Sequence, residues 1–244
     1  MTPRPPHPAD PASGAFTPDQ RRILTALLMP LFLALMSVSV VNVALPAIES
    51  GLDATSADLQ WVLAGYTLTF GTVLVAAGRA GDLWGRKSLF LAGITLYMLG
   101  SLLSGLAGDT LLLNAGRLLT GLGAGVFNPQ VIGFIQSNFH GRARGRAYGL
   151  FGTVVGLGVA VGPLLGGLFL GAFGPEWGWR STFLMNVPVG LAAVAMGRHH
   201  QPTRDAVGRQ DKKSNREKHE QPIPRVAPKA QEKQPRHGKA HGDR

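Results

Sequence analysis

The 244-residue sequence contains no cysteine, which excludes a disulfide framework, a thiolate metal site and a cysteine nucleophile. Charge is also scarce, with Asp, Glu, Lys and Arg making up 16% of the residues. Between residues 23 and 197 that charge falls, Arg117 apart, in short gaps between apolar, glycine-rich stretches. The stretches carry no His-Glu-x-x-His, no Gly-x-Ser-x-Gly and no paired acids, so the usual signatures of a membrane-embedded enzyme are missing. They also lack the polar faces at helical period that a bundle of soluble core helices would need. No enzymatic activity, cofactor or metal is expected.

What is present is length of apolar chain. A span needs about 20 mostly apolar residues to cross about 30 Å of hydrocarbon at 1.5 Å per residue. Helices are expected over 22–45, 59–78, 88–107, 111–134 and 146–173, with a sixth starting near Ser181. The fold class is therefore an all-α integral membrane protein, a bundle of six transmembrane helices with disordered termini. Arg21-Arg22 ahead of an apolar run resembles the start of a signal peptide. However, the run from Ile23 to Leu45 is long enough to span and others follow, so it reads as a first transmembrane helix. Three regions are expected: a Pro-rich disordered lead over 1–20, the bundle over 21–197 and a disordered basic tail over 198–244.

The short loops give an orientation. Arg4, Arg21 and Arg22 precede helix 1, Arg79, Arg86 and Lys87 follow helix 2, and Arg142, Arg144 and Arg146 follow helix 4. The opposite side carries Glu49, Asp53, Asp58, Asp109 and Glu176, with Arg180 as its only base. The positive-inside rule then puts both termini in the cytoplasm and the protein in the plasma (inner) membrane.

The formal net charge of +10 is mainly a property of the tail, which holds 13 Lys/Arg and 6 Asp/Glu from Arg198 onward. That distribution argues against nucleic acid as a partner. Helix 6 has only about 17 residues before Arg198, near the lower limit for a span. The tail's low hydrophobicity and high charge predict a disordered segment. It reads either as a polybasic arm for anionic lipid or as a non-native frame after a truncation; the abrupt break inside an unfinished helix favours the second.

Few polar groups sit inside the spans. Arg117 lies about six residues, and so about 9 Å, into helix 4. It either snorkels back to the interface or serves a function, and depth alone does not separate the two. Asn42, between Val41 and Val43, either bonds a neighbouring helix or lines a substrate path. Trp61 and Tyr66 fit an aromatic belt. In helix 5, four-residue spacing puts Gly152 and Gly156, or Gly158, Gly162 and Gly166, on one face for close helix packing. Gly167 and Pro163 lie among them, and Pro163 permits a kink. Gly156-Leu157-Gly158 and Gly121-Leu122-Gly123 lack the spacing and preceding strand of a dinucleotide loop.

The most informative segment is Gly78-Arg79-Ala80-Gly81-Asp82-Leu83-Trp84-Gly85-Arg86-Lys87, a charged turn between two spans. Asp82 can pair with Arg86 or face the positive end of a neighbouring helix. A charged turn that locks against another helix and releases it would act as a gate.

That segment resembles the loop signature of the major facilitator superfamily, G-x-x-x-D-x-x-G-R-K, here Gly78, Asp82, Gly85, Arg86 and Lys87. Arg117 through Gly121 to Gly123 resembles the helix 4 R-x-x-x-G-x-G motif. Gly158 through Gly162-Pro163 to Gly166-Gly167 resembles the helix 5 antiporter motif. Val41 to Pro46 and Trp179 to Gly190 are similar to segments of the fourteen-helix drug:proton antiporter branch. The resemblance covers about residues 22–197 and implies the N-terminal six-helix half of such a transporter. By position, the Asp82 turn would stabilise the outward-facing state against the C-terminal half. Arg117 would serve proton coupling or substrate binding, and Gly162-Pro163 would favour antiport.

Two departures matter. The branch usually has an acid five residues before the asparagine, where Ser37 stands here, so proton coupling is not carried over at that position. The C-terminal half, the natural partner, is also missing from the sequence, and the family transports by rocking two halves about a midplane site. The expected function is efflux of small organic compounds linked to protons, in a truncated chain embedded in the lipid bilayer. The alternative is a non-transporting membrane interaction protein with a lipid- or partner-binding tail.

Overall fold

The computed structural model describes residues 16–199, all helical apart from caps and short turns. Six helices follow in order: α1 (Pro18–Leu52), α2 (Ser56–Trp84), α3 (Arg86–Gly105), α4 (Thr110–Asn138), α5 (Gly141–Leu184) and α6 (Asn186–His199). The structure of residues 1–15 and of the tail from His200 onward lies outside the described residues, and so do the expectations of disorder placed there.

Local chemistry explains where the helices begin. Thr17 closes a capping box: its hydroxyl accepts from the Gln20 amide at 3.2 Å, and the Gln20 side chain accepts from the Thr17 amide at 3.1 Å. Pro18 fills the first helical position, where its missing N–H costs nothing. The helix therefore starts inside the stretch expected to be a disordered lead. Thr55 and Asp58 make the same box for α2, and Asp109 accepts from Leu112 N at 2.7 Å to start α4.

Helices α1, α2, α4 and α5 are longer than the apolar runs that announce them. α1 passes through Pro30 and Pro46 and ends at Asp53, in the left-handed region at φ 47°. α2 runs to Trp84, well past the expected end at 78. A proline removes one ladder bond but does not end a helix whose flanks are packed. Expected ends followed the hydrophobic run, whereas hydrogen bonding continues into the polar boundary.

Among the described residues five helical stretches are long and apolar enough to cross a membrane, the last being the whole run Gly141–Met196. Inside it, Gly174 adopts φ 75°, ψ 174°, and separates α5 into legs at 141–173 and 175–184. The break falls at Gly174, directly after the expected end of helix 5 at 173; Pro175 starts the next leg, ahead of the start expected near Ser181, and the helix runs unbroken through Pro163. Only glycine occupies that backbone region without strain of about 1–3 kcal/mol. Gly174→Ala should therefore lower stability by about that amount, read as a fall in the thermal midpoint of the detergent-solubilised chain.

Packing is pairwise: α3 against α4, α1 against α5, and α2 against α4. One apolar cluster joins Leu27 and Leu31 of α1, Ile94 of α3, Phe127 and Ile135 of α4, and Ala147 of α5. A second, at the other end of α1, joins Val41, Ala44 and Ile48 to Val62, Leu113, Trp179 and Phe183. Arg180, the one base on the acidic side, donates to the carbonyls of Gly105 and Ala107 at 3.2 and 2.7 Å and lies over the Trp179 ring. It closes the C-terminal end of α3, so it is a helix cap.

Candidate functional site

The charged turn is mostly helix. α2 carries Gly78 and Asp82 to its last turns, and the chain bends only at Gly85, at φ 93°. The Arg86 guanidinium meets Asp82 Oδ1 at 2.6 Å, with the Asp82 side chain 60% exposed and that of Arg86 31%. Arg86 also lies over Gly133 of α4, where a Cβ would collide with the guanidinium. Beside it, Gln130 Nε2 donates to the carbonyl of Ala77 at 2.8 Å, and a Cβ on Gly81 would strike the Gln130 side chain. The turn is thus docked on α4 through Gly81, Gln130 and Gly133. None of these three contacts is marked in the sequence. Lys87 is half-buried, and a Cβ at Gly78 would meet Pro129 only at an ordinary 3.7 Å.

Arg117 does not snorkel. It is 1% exposed, its Nε donates to the Val62 carbonyl at 2.8 Å, and its guanidinium lies 4.6 Å from the centre of the Tyr66 ring. Phe183 lies on another side at 5.9 Å. Its Nη1 has no acceptor, and among the described residues no carboxylate pairs with it. An ionised side chain costs about 2.5–3.5 kcal/mol at a span centre on insertion scales. One carbonyl and two ring faces offset only part of that.

The glycines after Arg117 are packing surfaces facing opposite ways. A Cβ on Gly121 would collide with Tyr66 and Thr69 of α2, and Thr69 Oγ1 donates to the Leu118 carbonyl at 3.0 Å. A Cβ on Gly123 would collide with Tyr97 of α3 and lie 2.7 Å from the Gly93 carbonyl. Gly116 and Gly100 meet in the same way one heptad away. The spacing of Gly121 and Gly123 therefore lets α4 lie between α2 and α3 at backbone contact.

On α5, Gly158, Gly162 and Gly166 face α1: added Cβ atoms would lie 3.0, 2.5 and 3.2 Å from Leu35, Ser39 and Val43. Ser39 Oγ donates to the Val159 carbonyl at 2.9 Å across the same seam. Gly152, Gly156 and Gly167 meet nothing within 4 Å, and Pro163 is exposed in the isolated chain.

Asn42 bonds no neighbouring helix. Its Nδ2 donates to Val38 of its own helix at 3.1 Å, and the residue lines a cleft of about 280 Å³ together with Ser39, Tyr66, Phe70, Asn128 and Val159. The cleft takes walls from α1, α2, α4 and α5. Ser37 points elsewhere: it is buried and accepts from Asn186 Nδ2 at 3.3 Å, and Asn186 also donates to Ser101 Oγ at 3.3 Å. This polar knot ties α1, α3 and α6. Its signal in the sequence was only a lone asparagine in a short helix.

Helices of this length and polarity place the chain among multi-pass membrane proteins. The family model described as Major Facilitator Superfamily matches residues 27–235, and the chain belongs to that family of membrane transporters. It is similar to the "Probable actinorhodin transporter" of Streptomyces coelicolor, 37% identical over 66% of this chain and 28% of the relative. The "Methylenomycin A resistance protein" of Bacillus subtilis is 34% identical over 70% of this chain and 36% of that protein. For the "Tetracenomycin C resistance and export protein" of Streptomyces glaucescens the figures are 35%, 71% and 32%. The chain spans about a third of the length of the curated relatives it matches.

Proposed function

We propose that this chain is the N-terminal six-helix half of an exporter of small organic compounds, with both termini cytoplasmic and efflux linked to protons. The observation that carries the reading is the cleft at Asn42, mostly apolar with a few polar groups, where walls from α1, α2, α4 and α5 meet. A transporter of two rocking halves needs such a half-cavity near the midplane, to be completed by the other half. The sixth span would be the run beyond Gly174, through 175–196.

The printed names of the relatives, which speak of resistance and export, support efflux rather than uptake. The Asp82–Arg86 turn would be the gate, and Gly158, Gly162 and Gly166 the seam on which α5 moves against α1. Every acid among the described residues stands at a helix end: Asp19, Glu49, Asp53, Asp58, Asp82, Asp109 and Glu176. Ser37 offers no carboxyl, so we place the proton-carrying acid outside this six-helix half, in the part of the relatives' length that the chain does not cover. The test joins residues 1–197 to the C-terminal half of one of the full-length relatives and follows a panel of acidic, neutral and basic fluorescent dyes in cells. Dye accumulation should fall while the proton gradient stands and return when it is collapsed. A joined protein that inserts but exports none of the panel overturns the efflux reading.

A further inference from the structure

The seam between α1 and α5 is tight along one stretch and open along the next. Gly158, Gly162 and Gly166 bring α5 against α1, where added Cβ atoms would lie within 3.2 Å of Leu35, Ser39 and Val43. The same four-residue row continues toward the start of α5 as Val154 and Leu150, and there side chains replace the glycines. The helices part into a groove of about 490 Å³, with Leu24, Leu28 and Phe32 of α1 on its other wall. Phe16 lines the same groove and lies edge-on to Phe139, with ring centres 5.7 Å apart. The Thr25 hydroxyl turns to the Arg21 carbonyl of its own helix at 3.0 Å, so below Arg21 the slot is apolar.

Arg21 is the one charged residue on the lining; it is exposed and has no ion-pair partner among the described residues. Arg146, also exposed, stands one helical turn before Leu150 on the α5 side. Asp19 is the nearest acid in sequence and pairs with neither. Phe32 lies about 16 Å along α1 from Arg21 at 1.5 Å per residue, close to the roughly 15 Å of one leaflet in a hydrocarbon core about 30 Å thick. The groove therefore runs from a basic mouth at the membrane surface to the midplane.

We infer that this groove is a binding site for an anionic phospholipid, with one acyl chain between α1 and α5 and the phosphate held by Arg21 and Arg146. A guanidinium fork matches a phosphate in shape and charge, and basic residues beside a slot between spans suit an anionic headgroup. A zwitterionic lipid fits the same slot, but its own cation beside the phosphate weakens the attraction to both arginines. A soluble anion meets two exposed bases in salt water, where the attraction is screened, and gains nothing from the apolar wall. The groove shares no lining residue with the cleft at Asn42, so the site stands or falls apart from the efflux reading.

The test uses the full chain in mild detergent, with the first bound lipid counted by native mass spectrometry. The probes are phosphatidylglycerol, phosphatidylethanolamine and phosphatidylcholine, all with dioleoyl chains. Phosphatidylglycerol should bind at least fivefold tighter than the other two. Arg21→Gln should weaken it about fivefold, the contribution of one base near an anionic surface, and leave phosphatidylcholine unchanged. Val154→Trp fills the slot while keeping every charge, including those of the basic tail, and should abolish the tight site. Leu150→Trp, at a position 43% exposed, makes the same test if Val154→Trp fails to fold. Glycerophosphoglycerol, the headgroup without acyl chains, should not displace the lipid at tenfold excess. Equal affinity for the three lipids, or an unchanged Arg21→Gln chain, overturns the site. So does displacement by the bare headgroup, or a preference that survives the tryptophan and so belongs to the tail.

Discussion

Asp82→Asn, placed in the joined two-half protein, is expected to lower the efflux rate at least tenfold while leaving the amount of membrane-inserted protein unchanged. The magnitudes separate the two effects. Asp82 is 60% exposed and its partner Arg86 is 31% exposed, and ion pairs this accessible contribute about 0–1 kcal/mol to stability. Asparagine keeps the shape and a hydrogen bond to Arg86, and Arg86 keeps its seat over Gly133. The docking of the turn on α4 through Gln130 and Ala77 does not involve Asp82. Stability should therefore barely move. A tenfold rate change corresponds to about 1.4 kcal/mol in the barrier or in the population of one state. Dye efflux in cells, normalised to surface-exposed protein, measures the first quantity, and thermal unfolding of the purified protein measures the second. Normal efflux in the variant would reduce the turn to a topological signal.

Gly123→Val is expected to remove most of the folded protein. A Cβ there would collide with Tyr97 and stand 2.7 Å from the Gly93 carbonyl, and both obstacles include backbone. Overpacking costs about 1–3 kcal/mol where side chains can yield. Here α3 and α4 would have to separate, which disturbs the best-packed pair of the bundle and the Phe90–Phe127 and Tyr97–Phe127 edge contacts along it. A loss at or beyond the upper end, about 3 kcal/mol, should appear as aggregation in fluorescence-detected size exclusion and a much lower thermal midpoint. Gly156→Val is the control. Nothing lies within 4 Å of a Cβ at Gly156, so in the isolated chain its effect should stay within about 0.5 kcal/mol.

The glycines show how far reading the sequence can go. Both four-residue sets on α5 satisfied the rule for close packing, yet only Gly158, Gly162 and Gly166 meet α1. Spacing defines a face of a helix, but which face meets a neighbour depends on the rotation of the helix within the bundle. The heptad pairing of Gly93 and Gly100 with Gly123 and Gly116 escaped notice for the same reason, since it exists only between two helices in register. The charged turn was legible as a cluster because its residues are consecutive. Its dock on Gln130 and Gly133 was not, as those lie more than forty positions along the chain. Asn42 and Arg117 were visible as polar residues in apolar runs, and each had two readings. The structure decided against a bond to a neighbouring helix for Asn42 and against snorkelling for Arg117.

The sequence by itself determined that the chain crosses a membrane, the order of its helices and the cluster of charge at the α2–α3 turn. These properties are one-dimensional: apolar length against hydrocarbon thickness, and charge excluded from lipid. Tertiary structure alone decided the two-sided packing of α4 and the isolation of Arg117 among rings and a carbonyl. Those depend on what stands opposite each residue, and a glycine or a buried arginine carries no mark of its neighbour until the helices are packed.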